Sequence, residues 1–154
     1  MAHNTGMSDE ERASMSGAMA KVLADLYLLY LKTQNFHWNV TGAAFFSLHL
    51  LFEKQYQEMA DEIDELAERV RSLGFFVDGT TVAFKKISSI VEEQKVVSWE
   101  EMVKQLVDGH EVVIRELRNL NFLAEKHRDP GTVDMAGRRL AAHEKALWML
   151  RSQL

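Results

Sequence analysis

Two imidazoles and three carboxylates give this chain a set of residues able to do metal chemistry: His37, His49, Glu53, Asp64 and Glu68. Nitrogen and carboxylate donors without thiolate suit iron, manganese or zinc, and five of them leave room for one or two ions. At 100° per residue, His49, Glu53, Asp64 and Glu68 fall within an arc of roughly 100° on one helix, beside its apolar stripe of Phe45, Phe52, Tyr56, Met59, Ile63, Leu66 and Val70. His37 precedes the Gly42 turn and His49 follows it, so an antiparallel hairpin brings the two rings together with Glu53 one turn further on. His49 and Asp64 cannot share an ion within one chain, because fifteen helical residues separate them by about 22 Å. Two copies of that helix packed antiparallel about a twofold axis would join the His37/His49/Glu53 end of one to the Asp64/Glu68 end of the other. A carboxylate stripe alone reads first as a solvated helix face; the two histidines flanking one turn bring the metal reading level with it. The Glu-x-x-His pairs of a single-chain di-iron bundle are absent.

The elements that must position these residues are helices. With one proline and few glycines, four long stretches carry three-and-four apolar spacing. The first opens on the capping box Ser8-Asp9-Glu10-Glu11 and runs to about Asn39. Its apolar residues nearly encircle it between Leu23 and Leu31, which implies packing on two sides, one of them a candidate contact with another subunit. The second spans about Ala44 to Leu73 with Gly74 as C-cap, and the third opens on a second capping box, Ser98-Trp99-Glu100-Glu101, and runs to about Lys126. The last begins near Thr132 or Val133, after Pro130-Gly131. Short turns around Gly42 and Pro130 make two antiparallel pairs, and a long link with a short helix in about Val82 to Val91 joins them. The fold class is therefore all-α, a four-helix bundle closed by one long crossover in the ferritin-like manner.

Composition narrows the function. A chain of 154 residues forms one domain, and zero cysteine excludes disulfide scaffolds, thiolate zinc sites and cysteine nucleophiles. The longest apolar run, residues 26–31, is far short of the roughly 20 residues that span a bilayer, and the expectation is a cytoplasmic protein with no membrane partner. A net charge of −5 argues against a surface built wholly for nucleic acid.

The runs NFHWNVTGAAFFSLH, AERVRSLG and KALWML, with the helix lengths, resemble the Dps family of ferritin-like mini-ferritins over essentially the whole chain from about Ala18. The resemblance implies a single Dps domain over residues 1–154, with about residues 1–7 as a flexible tail, assembled into a hollow homododecamer. It implies a ferroxidase that oxidises Fe(II), preferentially with hydrogen peroxide over O2, stores the ferric mineral and protects against oxidative stress. On this likeness His37 and His49 are ligands from one subunit, Glu53 stands where many members have aspartate, and Asp64 and Glu68 come from the partner. Trp38 matches a tryptophan thought to take up oxidising equivalents; its plainer role is an aromatic packed at a helix end. Glu125, Asp129 and Asp134 fall where the family lines an iron-admitting pore, and zinc or manganese would compete with iron for the ligands.

DNA binding is the family's namesake property, often through a lysine-rich tail. Before Lys21 the only cation here is Arg12, among Asp9, Glu10 and Glu11, so binding is doubtful and weak if present, with nucleoid association left open. His110 and His143 lie on apolar stripes and read as satisfied core histidines. Two hypotheses stand: an iron-oxidising, iron-storing cage, and a non-enzymatic DNA-compacting or scaffold protein of the same fold with a structural or vestigial metal site.

Overall fold

The computed structural model describes residues 4–154 as five helices: α1 (Asp9–Asn39), α2 (Phe45–Ser72), α3 (Thr81–Ile87), α4 (Trp99–Lys126) and α5 (Pro130–Arg151). The expected flexible tail falls partly on residues 1–3, outside the described residues; residues 4–7 form no helix. At the start of α1, Ser8 Oγ accepts from the Glu11 amide, and the Glu11 carboxylate accepts from the Ser8 amide, closing the capping box. The box at Ser98 is only half made: its hydroxyl caps Glu101, but the Glu101 carboxylate accepts from Gln105 instead. Pro130 does not precede the last helix but begins it, occupying the first turn where no amide hydrogen is needed. Gly42 and Gly74 take φ of +97° and +98°, the left-handed geometry that reverses the chain after α1 and ends α2.

Cross-links fix the directions. Arg12 at the start of α1 donates to the Leu73 carbonyl at the end of α2, and Glu11 approaches His127 at the end of α4. Arg69, late in α2, holds Asp129 at the start of α5. Thus α2 and α4 run parallel to each other and antiparallel to α1 and α5, and the chain must travel the length of the bundle between Leu73 and Ser98. That return is tied down by Asp25, wholly buried on α1, which accepts from the Ser88 hydroxyl and the Ser89 amide and pairs with Lys21. The Tyr27 and Phe84 rings, 4.9 Å apart, pack α3 on α1. Part of the near-encircling apolar surface of α1 is thus covered by the chain's own α3.

The core joins Met15, Met19, Leu26 and Leu29 of α1 to Leu48, Phe52 and Leu66 of α2 and to Leu106, Val113, Leu117 and Leu120 of α4. Packing is uneven: α1/α2 and α4/α5 are close pairs, whereas α2 and α5 barely meet. A cleft remains between those two helices.

Candidate metal centre

Phe36, 1% exposed, and Val40 anchor the end of α1 in the core, and Leu48 and Phe52 anchor the start of α2. The hairpin between them stacks the His37 and His49 rings, centroids 3.9 Å apart and planes 20° from parallel. His37 Nδ1 donates to the His49 carbonyl at 2.8 Å, and His49 Nδ1 donates to the His37 carbonyl at 2.9 Å. A carbonyl oxygen only accepts, so each ring must carry its hydrogen on Nδ1. In the neutral imidazoles both Nε2 atoms then present a lone pair, the arrangement in which an outer hydrogen bond orients a metal-binding histidine. Tyr56 meets the His37 ring edge-on at 5.3 Å, and Phe45 lies 5.2 Å from His49.

Glu53 is half-buried one turn from His49, and Asp64 and Glu68 are exposed further along the unbroken α2. Among the described residues, none of these three carboxylates makes a hydrogen bond or ion pair with a side chain, and no three histidine or carboxylate groups converge on one point in a single chain. One chain therefore brings together His37 and His49 with Glu53 nearby, and leaves Asp64 about 22 Å and Glu68 about 28 Å from His49 along the helix. Trp38 is exposed, not packed at the helix end, and with Phe45, Phe46 and Leu50 it surrounds the hairpin with uncovered apolar surface.

The three candidate pore residues separate. Glu125 is exposed, and Asp134 is exposed and paired with Arg138 at 2.9 Å. Asp129 is a correction to the sequence reading: it is 6% exposed, caps α5 through Thr132 and takes both carboxylate oxygens to Arg69 at 2.7 Å. Burial pushes its carboxyl up, but hydrogen bonds from Thr132 and Arg69 hold it below the usual range. Its oxygens are taken up by the cap and the ion pair and are shielded from solvent.

A second histidine pair lies inside the bundle. His143 Nε2 is 2.9 Å from Glu62 Oε2, and its Nδ1 is 2.8 Å from His110 Nδ1, all three side chains being buried. The expectation of satisfied core histidines holds for His143; the Nε2 of His110 and Oε1 of Glu62 have no partner among the described residues. Burial, with His143 beside it, pulls the His110 imidazole well below its ordinary pKa, so it is neutral at pH 7. Glu62 was missed in the sequence, where it reads as one acid in an acidic run. The available signal was that His110 and His143 lie on the apolar stripes of two helices joined by the short Pro130 turn.

A sequence profile of the ferritin-like domain family matches residues 17–154. The DNA protection during starvation protein of Porphyromonas gingivalis is 33% identical over 146 residues, covering 95% of this chain and 92% of that protein. The chain belongs to the Dps family of ferritin-like proteins. Two solved Dps structures superpose closely. That from Vibrio cholerae O1, described as one of the ferritin-like diiron-carboxylate proteins, gives a TM-score of 0.94 at 29% identity, covering 99% of this chain and 97% of that one. That from Bacillus brevis gives 0.89 at 36% identity, covering 95% and 98%.

Proposed function

We propose that this Dps-family chain is a ferroxidase whose centre is completed by a second copy of itself, and that it stores the ferric product inside a hollow dodecamer in the cytoplasm. The observation that carries the reading is the reciprocal histidine lock. It costs nothing in core packing to leave an imidazole free at a surface, but here both rings are stacked and fixed through Nδ1, one helical turn from the unpaired Glu53. The exposed Trp38, Phe45, Phe46 and Leu50 around the hairpin support burial against a partner, since such patches on a monomer mark interaction surfaces. An antiparallel twofold contact of α2 then supplies Asp64 and Glu68 from the other copy.

Fe(II) is the substrate. His37 and His49 hold it through Nε2, Glu53 and the partner copy's carboxylates neutralise its charge, and the aromatic rim excludes bulk water. Each of two Fe(II) ions gives one electron to one hydrogen peroxide; the O–O bond breaks and two protons complete two waters, so no hydroxyl radical is released. O2 is the slower oxidant in this reading, and zinc or manganese compete for the same donors. Glu125 and Asp134 remain candidates for a pore that admits iron. The DNA-compacting alternative gains no observation, because the first two cations are engaged: Arg12 with Asp9 and the Leu73 carbonyl, Lys21 with Asp25 and Ser89.

The test is anaerobic Fe(II) oxidation followed optically, with peroxide and then air, comparing native protein with His37→Ala/His49→Ala. Fast peroxide-driven oxidation that the variant loses while keeping its assembled size supports the reading. Equal slow rates in both overturn it in favour of the scaffold.

A further inference from the structure

We propose that the cleft between α2 and α5 binds a single divalent transition-metal cation inside the bundle, with Glu62 and His143 as its protein ligands. The cleft measures about 330 Å³, enough for an ion and several waters at ~30 Å³ each. Its floor holds the Glu62–His143–His110 chain, and its wall includes Gln55. Two buried oxygens there lack any hydrogen-bond donor among the described residues: Glu62 Oε1 and Gln55 Oε1, the latter because the Gln55 amide nitrogen faces the Ala146 carbonyl. Unpaired buried acceptors of this kind are costly, and two of them on one cleft ask for a cation.

The spacing agrees. With metal–ligand bonds near 2.1 Å, adjacent ligands of an octahedral ion sit about 3.0 Å apart. His143 Nε2 and Glu62 Oε2 stand 2.9 Å apart. In the metal-bound state His143 carries its hydrogen on Nδ1 and donates it to His110 Nδ1, whose own hydrogen then sits on Nε2; His110 thus acts as the partner that fixes the ligand's tautomer. The imidazole donor favours a transition metal over magnesium or calcium. Of the three cations lining the cleft, Lys54 pairs with Glu58 and Arg139 with Glu65, while Lys145 has no ion pair among the described residues and must swing out to solvent when a positive ion enters.

This site is distinct from the hairpin centre. Glu62 projects about 170° around α2 from the middle of the His49-to-Glu68 arc. No Glu-x-x-His pair accompanies it, so one ion is held, not a carboxylate-bridged pair.

Co²⁺ is the probe, added anaerobically to the assembled His37→Ala/His49→Ala protein, with its visible absorption and equilibrium dialysis as readouts. The expected result is a cobalt ion bound per chain, lost when Glu62→Gln is added and weakened about 10- to 100-fold by His110→Ala. Glu62→Gln preserves size and an acceptor oxygen, so it decides the matter should a histidine variant fail to fold, as checked by circular dichroism. Absence of bound cobalt in the double variant, or binding unchanged by Glu62→Gln, overturns the proposal and leaves an internal hydrogen-bond chain. Neither outcome depends on whether the hairpin oxidises iron.

Discussion

Replacing Asp129 separates two roles that its sequence position makes equally plausible. If it lines a pore, Asp129→Ala slows iron uptake and leaves stability alone. The structure implies the reverse. Loss of an N-cap side chain costs about 1 kcal/mol. Arg69, 27% exposed, then keeps only its bond to the Thr132 hydroxyl, and the stranded guanidinium adds about 1–3 kcal/mol, discounted from a fully buried pair because water can reach it. The sum is about 2–4 kcal/mol. An unfolding entropy of ~2.1 cal/mol/K per residue gives about 0.32 kcal/mol/K for this length, hence a Tm lower by about 6–12 °C. Asp129→Asn keeps the cap and loses the charge, so it should fall between. Glu125→Gln, exposed at the same turn, should shift Tm by less than about 2 °C. The assay is scanning calorimetry at fixed chain concentration, because assembly makes Tm concentration-dependent. The sign with pH follows from the depressed carboxyl: the native advantage over Asp129→Ala is full above the unfolded value of about 4 and fades as pH falls through the lower folded value. An Asp129→Ala protein melting within about 2 °C of native at pH 7 refutes this account of the turn.

Saturating zinc should abolish peroxide-driven Fe(II) oxidation, since zinc competes well for imidazole and carboxylate; an undiminished rate would remove the hairpin from the chemistry. Phe46→Glu, at a side chain 73% exposed beside the hairpin, should leave helical content unchanged while lowering assembled mass and oxidation together, read by light scattering and the optical assay. Asp25→Ala should strip the acceptor from the Ser88 hydroxyl and the Ser89 amide and destabilise by about 2–4 kcal/mol, with hydrogen exchange rising first in the crossover; uniform protection would show that the crossover is held elsewhere.

Helix positions were legible because each long helix carries its own periodicity and its own punctuation. Ser8 with Glu11, Gly42 and Gly74 act within a few residues, and such local chemistry survives folding unchanged. What was illegible depends on which helices leave a gap. The opening between α2 and α5 is set by the parallel run of α2 and α4, a property of the whole bundle, and it turns Glu62 from one of several surface acids into a buried one. The second face of α1 is ambiguous in the same way: its apolar residues announce a cover, but not that the chain's own returning segment supplies part of it. Asp129 failed because an acid before a helix has two ordinary uses, and the choice lay with Arg69, sixty residues away.

The two histidine pairs make the point at the level of single hydrogens. Both pairs come from adjacent antiparallel helices, and both sit beside a carboxylate. At the hairpin each Nδ1 is taken by the other residue's main chain, so the rings are held by groups that no side-chain substitution removes and both Nε2 atoms remain for a ligand. Inside the bundle the Nδ1 atoms face each other, so one ring must donate and the other accept, and the pair has a direction that ends at Glu62. The His37 carbonyl lies in the last turn of α1, among the acceptors a helix leaves unpaired, whereas the His49 carbonyl lies in the first turns of α2 and offers the ring its second lone pair. Near the α1–α2 turn main-chain carbonyls hold the rings, and in mid-helix side chains do, with His143 Nε2 turned to Glu62 on the cleft floor.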